Sequence, residues 1–339
     1  MNLGFYNFYD VYNRNKMFDP NNQADIGDDL LYPLHELARV GKERGHRIST
    51  IDCEGTEIFD AIAFFDYPGK DNPYLKQLIE IDFKNLYLFL FENPIIKPDN
   101  YDPRNYLPFK KVFTYKDDIV DNKKIFKTFV PEKIPESSIP VNSNRPNFCC
   151  MIAGNKMNLR RGQLYSERVR AIRWFEKHHI DKFDLYGKGW DDPYIPAFLR
   201  RYVWPSLFKL YYPSPQSYQG ECPSKHKVLK QYTFSICYEN LRDCPGYITE
   251  KIFDSFFAGC IPVYLGANNI TEYIPEETFI DKRKYPTYEK LYEYMNGLTQ
   301  RDHMEYSVAI QKFLRSEKIK PFRTETFVNQ ILTEMTSTI

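Results

Sequence analysis

The sequence lacks any apolar run of the length that crosses a bilayer, which is about 18–20 consecutive residues. Its first residues, MNLGFYNFYDVYNRNK, mix charges with a short apolar run, which is not the pattern of a signal peptide. We therefore expect neither a leader nor a membrane-spanning helix, and we expect a cytoplasmic protein.

Cysteine is present only in arrangements that do not suit a metal or a disulfide framework. The chain has seven cysteines, an odd number, and no C-x-x-C spacing. Several lie in apolar runs, as small core residues do. Reduced thiols in a cytosolic compartment are expected.

An excess of positive charge and the common nucleotide-binding motifs are also missing. Lys and Arg number 46 against 45 Asp and Glu, so no basic footprint for a nucleic acid is visible. The segment GKGW at 187–190 is not a Walker loop, and no G-x-G-x-x-G occurs. The sequence thus favours neither an ATPase nor a simple dehydrogenase.

The chain does contain strand and helix patterns that alternate through two halves, which predicts an α/β fold. The predicted strands are 3–8, 47–52, 61–66, 85–91, 111–115, 147–152, 183–186, 234–238, 261–265 and 278–281. The predicted helices are 28–45, 75–81, 166–178, 225–231, one starting near Thr249, 288–298, 302–313 and 327–335. Pro33 fits the first turn of the first helix, with Leu30 on its apolar side, and Val169, Ile172 and Phe175 form the apolar side of 166–178.

A proline-rich stretch at 131–146 predicts the linker between two domains. We expect an N-terminal domain at 1–140, a C-terminal domain at 141–315, and a last helix within 316–339 that can pack back on the first domain. The aromatic segment 190–218 has no secure assignment.

Polar side chains gather after the 234–238 strand and at the start of the next helix, where α/β folds bind ligands. They are Glu239, Asn240, Tyr247, Thr249, Glu250 and Lys251. Thr249 is a candidate N-cap, Lys251 a candidate phosphate cation, and Glu250 a candidate acceptor for sugar hydroxyls. A capping Glu and a surface Lys are the structural alternative.

Here the residues resemble a known family. YTFSICYEN at 232–240 followed by GYITEKIFDSFFAGCIPVYLGANNI at 246–270 resembles the donor-binding motif of the α-1,3-fucosyltransferases, glycosyltransferase family 10. LFLFENP at 88–94, FTYKDDI at 113–119, SERVRAIRWF at 166–175 and EETFID at 276–281 resemble further segments of that family. The resemblance begins near residue 85 and runs to the C-terminal region.

The resemblance implies a GT-B fold, in which two Rossmann-like domains face each other across a cleft and the second binds GDP-fucose. It implies inversion at the anomeric carbon and no essential metal, so a divalent ion is at most stimulatory. Asp191 and Asp192 lack the D-x-D spacing and are interpreted as surface residues.

By matched position, the resemblance implies that Glu92 is the general base, with a structural carboxylate at a strand end as the alternative. Arg168 matches the arginine that clamps phosphate, although Arg170 and Arg173 compete for that role. Lys251 is the second phosphate cation.

Further donor contacts follow from the same match. Asn240 and Tyr247 are expected at the phosphates or fucose, and Thr249 and Glu250 beside them. The remaining expected contacts are Gly154 and Asn155 at the nucleotide end, Tyr186 and Lys188 flanking guanosine, and Tyr115 reaching the sugar. The family often has S-N where this chain has Gly154-Asn155, which weakens that contact. Tyr115 is equally explained as a core tyrosine.

The implied function is transfer of L-fucose from GDP-fucose to O3 of a GlcNAc or glucose unit in a glycan. Two alternatives stay open: a GT-B transferase for another nucleotide sugar, and a catalytically silent glycan-binding relative. The expected partners are GDP-fucose and an oligosaccharide acceptor, without nucleic acid or a transmembrane segment. The lack of an anchor points to a bacterial or viral type of enzyme and leaves peripheral membrane association open.

Overall fold

The computed structural model describes residues 1–22, 29–137, 139, 145–191, 214–222 and 224–337. These residues form two compact units. The first contains Met1–Ile134, Pro245–Ile248 and Glu317–Ile339, and the second contains Pro135–Cys244 and Thr249–Ser316. The chain thus returns to the first unit twice, once for a short loop and once for its C-terminal end.

The described strands and helices alternate along both units. The strands are β1 (Asn2–Asn7), β2 (Arg47–Thr50), β3 (Ala61–Phe65), β4 (Leu86–Leu90), β5 (Lys111–Thr114), β6 (Ile125–Lys127), β7 (Asn147–Ile152), β8 (Phe183–Tyr186), β9 (Tyr232–Tyr238), β10 (Ile261–Leu265) and β11 (Ile280–Asp281). The helices are α1 (Tyr32–Glu43), α2 (Ile51–Glu54), α3 (Pro73–Glu80), α4 (Tyr165–His178), α5 (Lys225–Leu229), α6 (Glu250–Ala258), α7 (Tyr288–Gly297), α8 (Gln300–Leu314) and α9 (Thr324–Thr336). Short 3-10 turns connect several of them.

The first unit is built on a parallel sheet with the order β2-β1-β3-β4-β5-β6. Every residue of β3 and β4 is buried, because apolar side chains on both faces are covered, as in a doubly wound sheet. On one face α1 and the apolar side of α9 pack against Phe5, Ala63 and Phe89. On the other face α3 packs against Phe64 and Leu88.

The second unit repeats this plan with the order β8-β7-β9-β10-β11, again all parallel. In each sheet the chain first moves outward on one side of its starting strand and then crosses to the other side. The crossing falls between β1 and β3 in the first unit and between β7 and β9 in the second. Ligands of such folds bind at the carboxyl ends of the strands at this point.

Several predicted boundaries in the first half are wrong. The first helix begins at Tyr32 rather than at 28, and Leu30 is exposed instead of lying on its apolar side. β2 ends at Thr50, because the chain turns into α2 there. β6 was not predicted, since its three residues are half-buried and carry no alternating pattern.

The second half also corrects the prediction in places. Val169 is exposed, and the buried side of α4 is formed by Tyr165, Arg168, Ala171, Ile172 and Phe175. The predicted 278–281 strand is reduced to β11, because a 3-10 turn covers Glu276–Thr278.

The predicted linker and aromatic segment are described only in part. Glu132 pairs with Arg323 in a β-bridge, so the start of the proline-rich stretch belongs to the first unit. Trp190 is buried and Asp191 is exposed, whereas Asp192 and the rest of the aromatic segment up to 213 lie outside the described residues.

No helix within the described ranges has the length and apolar character needed to cross a membrane.

Candidate active site

A buried carboxylate at the carboxyl end of β9 organises the second unit's candidate site. Glu239 has no exposed surface. Its carboxylate accepts hydrogen bonds from the backbone N–H of Thr249 at 2.9 Å and from Thr249 Oγ1 at 2.8 Å. It also pairs with Lys251 Nζ at 3.3 Å. Glu239 therefore ties the first turn of α6 to the end of β9.

This arrangement corrects the predicted role of Thr249. The residue occupies the N-cap position of α6, but its side chain makes no capping hydrogen bond. The hydroxyl donates to Glu239 instead, because that buried carboxylate requires donors. The predicted start of α6 near Thr249 is confirmed, and the helix ends at Gly259, which has the left-handed conformation with φ of 67°.

Glu250 and Lys251 form the charged part of this turn. Lys251 Nζ lies 2.9 Å from Thr249 Oγ1 and 3.3 Å from Glu250 Oε1. Burial alone raises the pKa of Glu250, but the ammonium groups of Lys251 and Lys225 outweigh burial and bring the pKa to about 2. Burial also raises the pKa of Glu239. The nearby Lys251 ammonium lowers it, but the effect of burial is larger and the pKa remains raised. The pKa of Lys251 is raised, because Glu250 and Glu239 outweigh its burial.

Lys225 and Asp254 extend the cluster and were missed from the sequence. Lys225 Nζ lies 2.8 Å from Asp254 Oδ2 and 3.8 Å from Glu250 Oε1. A signal for Asp254 was present, because it follows Glu250 by four residues and therefore shares its face of α6. Nothing local identified Lys225, which opens α5.

The structure distinguishes the three arginines that compete for the phosphate role. Arg168 is 6% exposed, and its Nη2 donates to the Tyr238 carbonyl at 2.6 Å and the Glu239 carbonyl at 2.9 Å. The same nitrogen lies 2.9 Å from Asn240 Oδ1. Arg168 and Asn240 are therefore brought together at the carboxyl end of β9.

Arg170 and Arg173 lie on the outer side of α4. Their side chains are 72% and 48% exposed, and each pairs with a glutamate on its own helix, Glu167 and Glu176. These pairs lie one helical turn apart and contribute little to stability. Only Arg168 of the three reaches β9.

We expect Arg168→Lys to weaken GDP binding at least about 10-fold and to lower the free energy of unfolding by about 1–3 kcal/mol, because a lysine cannot replace the guanidinium contacts. Arg170→Lys is the matched control and should change both quantities little. Calorimetric GDP titration and urea denaturation measure the two effects. Equal behaviour of the two variants would contradict the assignment of Arg168.

The predicted nucleotide-end residues are only partly brought together. The Asn155 N–H donates to the Lys188 carbonyl at 2.9 Å, and Asn155 Nδ2 donates to the Gly189 carbonyl at 2.9 Å. The loops after β7 and β8 are thus joined, with Gly154 beside them and the Lys188 side chain exposed. Tyr186 points elsewhere, because its hydroxyl bonds Tyr232 at the amino end of β9 at 2.9 Å.

The first unit places Glu92 two residues after β4. Glu92 is half-buried, and its Oε1 accepts a hydrogen bond from the Tyr9 hydroxyl at 2.6 Å. Tyr9 follows β1, so the two side chains meet near the switch point of the first sheet. Sequence reasoning missed Tyr9, although its place just after the first strand was a usable signal.

Asp66 fixes the backbone that carries Glu92. It follows β3 and is 5% exposed, and its Oδ1 accepts from the N–H groups of Phe91 at 2.8 Å and Glu92 at 3.0 Å. Asn100 Nδ2 donates to the same oxygen at 2.6 Å. Burial raises the pKa of Asp66 to about 6, with the negative charge of Glu92 acting in the same direction.

Tyr115 and Tyr247 contact each other within the first unit, since the loop Pro245–Ile248 belongs to it. Their ring centroids are 4.9 Å apart, and the Tyr247 hydroxyl accepts from Asn93 Nδ2 at 2.9 Å. The Tyr115 hydroxyl lies 2.8 Å from that of Tyr101, and Tyr115 is 1% exposed. Both phenols are therefore held by protein groups, and their contact with a donor sugar stays a prediction.

In the part of the chain that the structure describes, no three His, Cys, Asp or Glu side chains lie close enough together to hold a metal ion.

Comparison with known proteins finds one family model that matches the second half of the chain. Residues 158–323, just under half of the chain, match the family model described as "Glycosyltransferase family 10 (fucosyltransferase) C-term". Residues 158–323 of this chain are similar to glycosyltransferase family 10. The resemblance found in the motifs is confirmed.

Curated relatives match over a short segment. The chain is 31% identical over 75 residues to "Alpha-(1,3)-fucosyltransferase FucT" of Helicobacter pylori, which covers 22% of this chain and 16% of that protein. It is 32% identical over 73 residues to "Alpha-(1,4)-fucosyltransferase" of Arabidopsis thaliana, which covers 22% of this chain and 18% of that protein. The chain thus spans less than a fifth of the length of these relatives.

Solved structures match over the whole chain. An α1,3-fucosyltransferase crystallised with GDP-fucose has a TM-score of 0.53 at 14% identity, covering 100% of this chain and 91% of that one. An α-glucosyltransferase in complex with UDP and DNA has a TM-score of 0.55 at 12% identity, covering 99% of each chain. At these identities the likeness shows the fold, and the predicted GT-B class is confirmed.

Proposed function

We propose that this chain is an inverting α-1,3-fucosyltransferase that moves L-fucose from GDP-fucose to O3 of a GlcNAc or glucose unit of a glycan. The observation that carries the proposal is the first turn of α6, where Lys251 is held by Glu239 and Glu250 at the end of β9. This turn is the part of the chain that most closely resembles the fucosyltransferase motif.

The donor diphosphate is assigned to this turn. A helix N-terminus offers free N–H groups and a positive dipole, and Lys251 adds a full charge. Arg168 contributes a second cation at the same strand end. Both charges are fixed by protein groups beforehand, so little reorganisation is needed as negative charge develops on the leaving diphosphate.

Glu92 is assigned as the base. In the proposed reaction its carboxylate takes the proton of the acceptor O3 hydroxyl while O3 forms a bond to the anomeric carbon of fucose. The bond from that carbon to the diphosphate oxygen breaks, and its electron pair leaves with GDP. Attack opposite to the leaving group inverts the anomeric configuration. Glu92 then gives up its proton to solvent.

A different nucleotide sugar is the second candidate. The phosphate cations do not distinguish one base from another, and a UDP-binding α-glucosyltransferase shares the fold. The base contacts proposed for Asn155 and Lys188 decide between them, because they lie at the loops after β7 and β8.

Ligand-detected NMR distinguishes the two donors. We expect saturation transfer to GDP-fucose and GDP and little to UDP-glucose or UDP-GlcNAc at equal concentration. Tight UDP binding without GDP binding would overturn the donor assignment. Asn155→Ala should weaken binding of GDP, whereas Asn158→Ala, on the same loop, serves as the control.

The acceptor is assigned more broadly than the donor. The two curated relatives are named for α-1,3 and α-1,4 linkages, so the family name does not fix the hydroxyl. A screen of glycans with radiolabelled GDP-fucose, followed by linkage analysis of the product, tests the proposed O3 position. A product linked at another hydroxyl would replace that part of the proposal.

A further inference from the structure

The surroundings of Glu92 contain two groups that the proposed reaction has not used. Tyr9 binds one oxygen of the Glu92 carboxylate, and Asp66 binds the peptide N–H groups of Phe91 and Glu92. Tyr9 therefore holds the side chain of Glu92, and Asp66 holds the backbone at that residue. A catalytic base needs both restraints, because misplacement of about 1 Å can cost about 100-fold in rate.

We propose that Tyr9 is a positioning residue for the general base, which holds Oε1 of Glu92 so that Oε2 receives the acceptor proton, and that Asp66 anchors the same residue from its backbone side. This inference rests on the proposed function, because it assumes that Glu92 is the base.

The geometry supports separate roles for these groups. The Tyr9 hydroxyl is 2.6 Å from Oε1, a distance typical of a hydrogen bond to a charged oxygen. Tyr9 and Glu92 are 83 residues apart, so the contact depends on the adjacent strand ends and not on local sequence. Asp66 has φ of 61°, a conformation that Asn and Asp adopt more readily than most residues.

The ionisable groups around Glu92 come from three elements of the first unit. Tyr9, with Tyr12 beside it, follows β1. Asp66 follows β3, and its charge interacts unfavourably with that of Glu92. On the segment after β4, the Tyr101 hydroxyl lies 2.9 Å from the Glu92 carbonyl oxygen.

The Tyr9 contact predicts a change in the pH dependence of the enzyme. A hydrogen bond donated to a carboxylate favours its charged form. Tyr9→Phe should therefore move the acid limb of the kcat/KM profile to higher pH by about 0.5–1 unit.

Tyr101→Phe is the matched control. Its hydroxyl lies against the Glu92 backbone carbonyl and not against the carboxylate, so the acid limb should stay in place.

Tyr9→Phe should also lower kcat by about 3–10-fold with an unchanged KM for GDP-fucose, because the donor residues lie on other segments.

The experiment measures pH profiles of kcat/KM and kcat for wild type, Tyr9→Phe and Tyr101→Phe, with thermal melts to check folding. Tyr9 is 39% exposed, so loss of its single oxygen should leave the fold intact. An unmoved acid limb in folded Tyr9→Phe, or movement of that limb to lower pH, would overturn the inference.

Failure of the inference is distinguishable from failure of the proposed function. If wild type transfers fucose and Glu92→Gln does not, while Tyr9→Phe keeps the wild-type profile, only the positioning role fails. If wild type does not transfer fucose, or Glu92→Gln remains fully active, the proposed function or its base assignment fails first.

Discussion

Glu92→Gln is expected to lower kcat by about 10²–10⁴-fold, because the amide cannot accept the acceptor proton as a general base does. The substitution keeps the size of the side chain and an oxygen that can accept from Tyr9, so the fold should be unchanged. Binding of GDP-fucose should stay within about twofold, since the phosphate cations lie on other segments. Transfer assays with radiolabelled donor and calorimetric titration measure the two effects.

Glu80→Gln is the matched control for that experiment. Glu80 is an exposed carboxylate at the end of α3 in the same unit, and its substitution should leave kcat unaltered. Full activity of Glu92→Gln would assign Glu92 a structural role at the strand end, which is the alternative that the sequence left open.

Lys251→Met is expected to lose both donor affinity and stability. Removal of a charge-assisted phosphate contact should weaken GDP binding by about 30–100-fold. The same change leaves the buried Glu239 carboxylate without its ammonium partner, which should lower the free energy of unfolding by about 2–4 kcal/mol. GDP titration and urea denaturation at pH 7 give the two values.

A double variant distinguishes the effect on binding from the effect on stability. In Lys251→Met with Glu239→Gln, the neutral amide oxygen can still accept the Thr249 N–H, and position 239 no longer carries a buried, unpaired carboxylate. Most of the lost stability should return, whereas GDP affinity should not. If affinity returned together with stability, the loss in the single variant would be a folding defect, and Lys251 would not contact phosphate.

The stability loss of the single variant should also depend on pH. Burial already raises the pKa of Glu239 above its ordinary value of 4.5, and loss of Lys251 raises it further. Between the unfolded and folded pKa values the folded state binds more protons, so stability falls as pH rises through this interval. The deficit of Lys251→Met should therefore shrink as pH is lowered towards 4.5. A deficit that is equal at pH 5 and pH 8 would contradict the pairing with Glu239.

Local sequence was sufficient for most of the elements. β7 and β8 occur with the predicted bounds, because short apolar runs between polar turn residues define buried strands. The end of α6 was also predictable, since Gly259 adopts the left-handed conformation that stops a helix. The family resemblance followed from the residues of β9, α6 and β10, and a family model that matches residues 158–323 confirms it.

Side-chain partners were not predictable in the same way. Val169 was placed on the buried side of α4 and is exposed, whereas the charged Arg168 is buried. Periodicity counts apolar residues, so it does not recognise a guanidinium that is buried because backbone carbonyls of β9 accept its hydrogen bonds.

By itself the sequence determined a two-part α/β chain and a resemblance to glycosyltransferase family 10, and it named Glu92, Arg168 and Lys251 as candidates. Only the tertiary structure placed Arg168 against the end of β9 and left Arg170 exposed, replaced the predicted cap of Thr249 by a bond to Glu239, and brought Tyr9 to Glu92. The physical reason is that strand and helix patterns depend on neighbours within a few residues. Partners of buried charges come from strand ends that are distant in sequence and become adjacent only when the parallel sheets form.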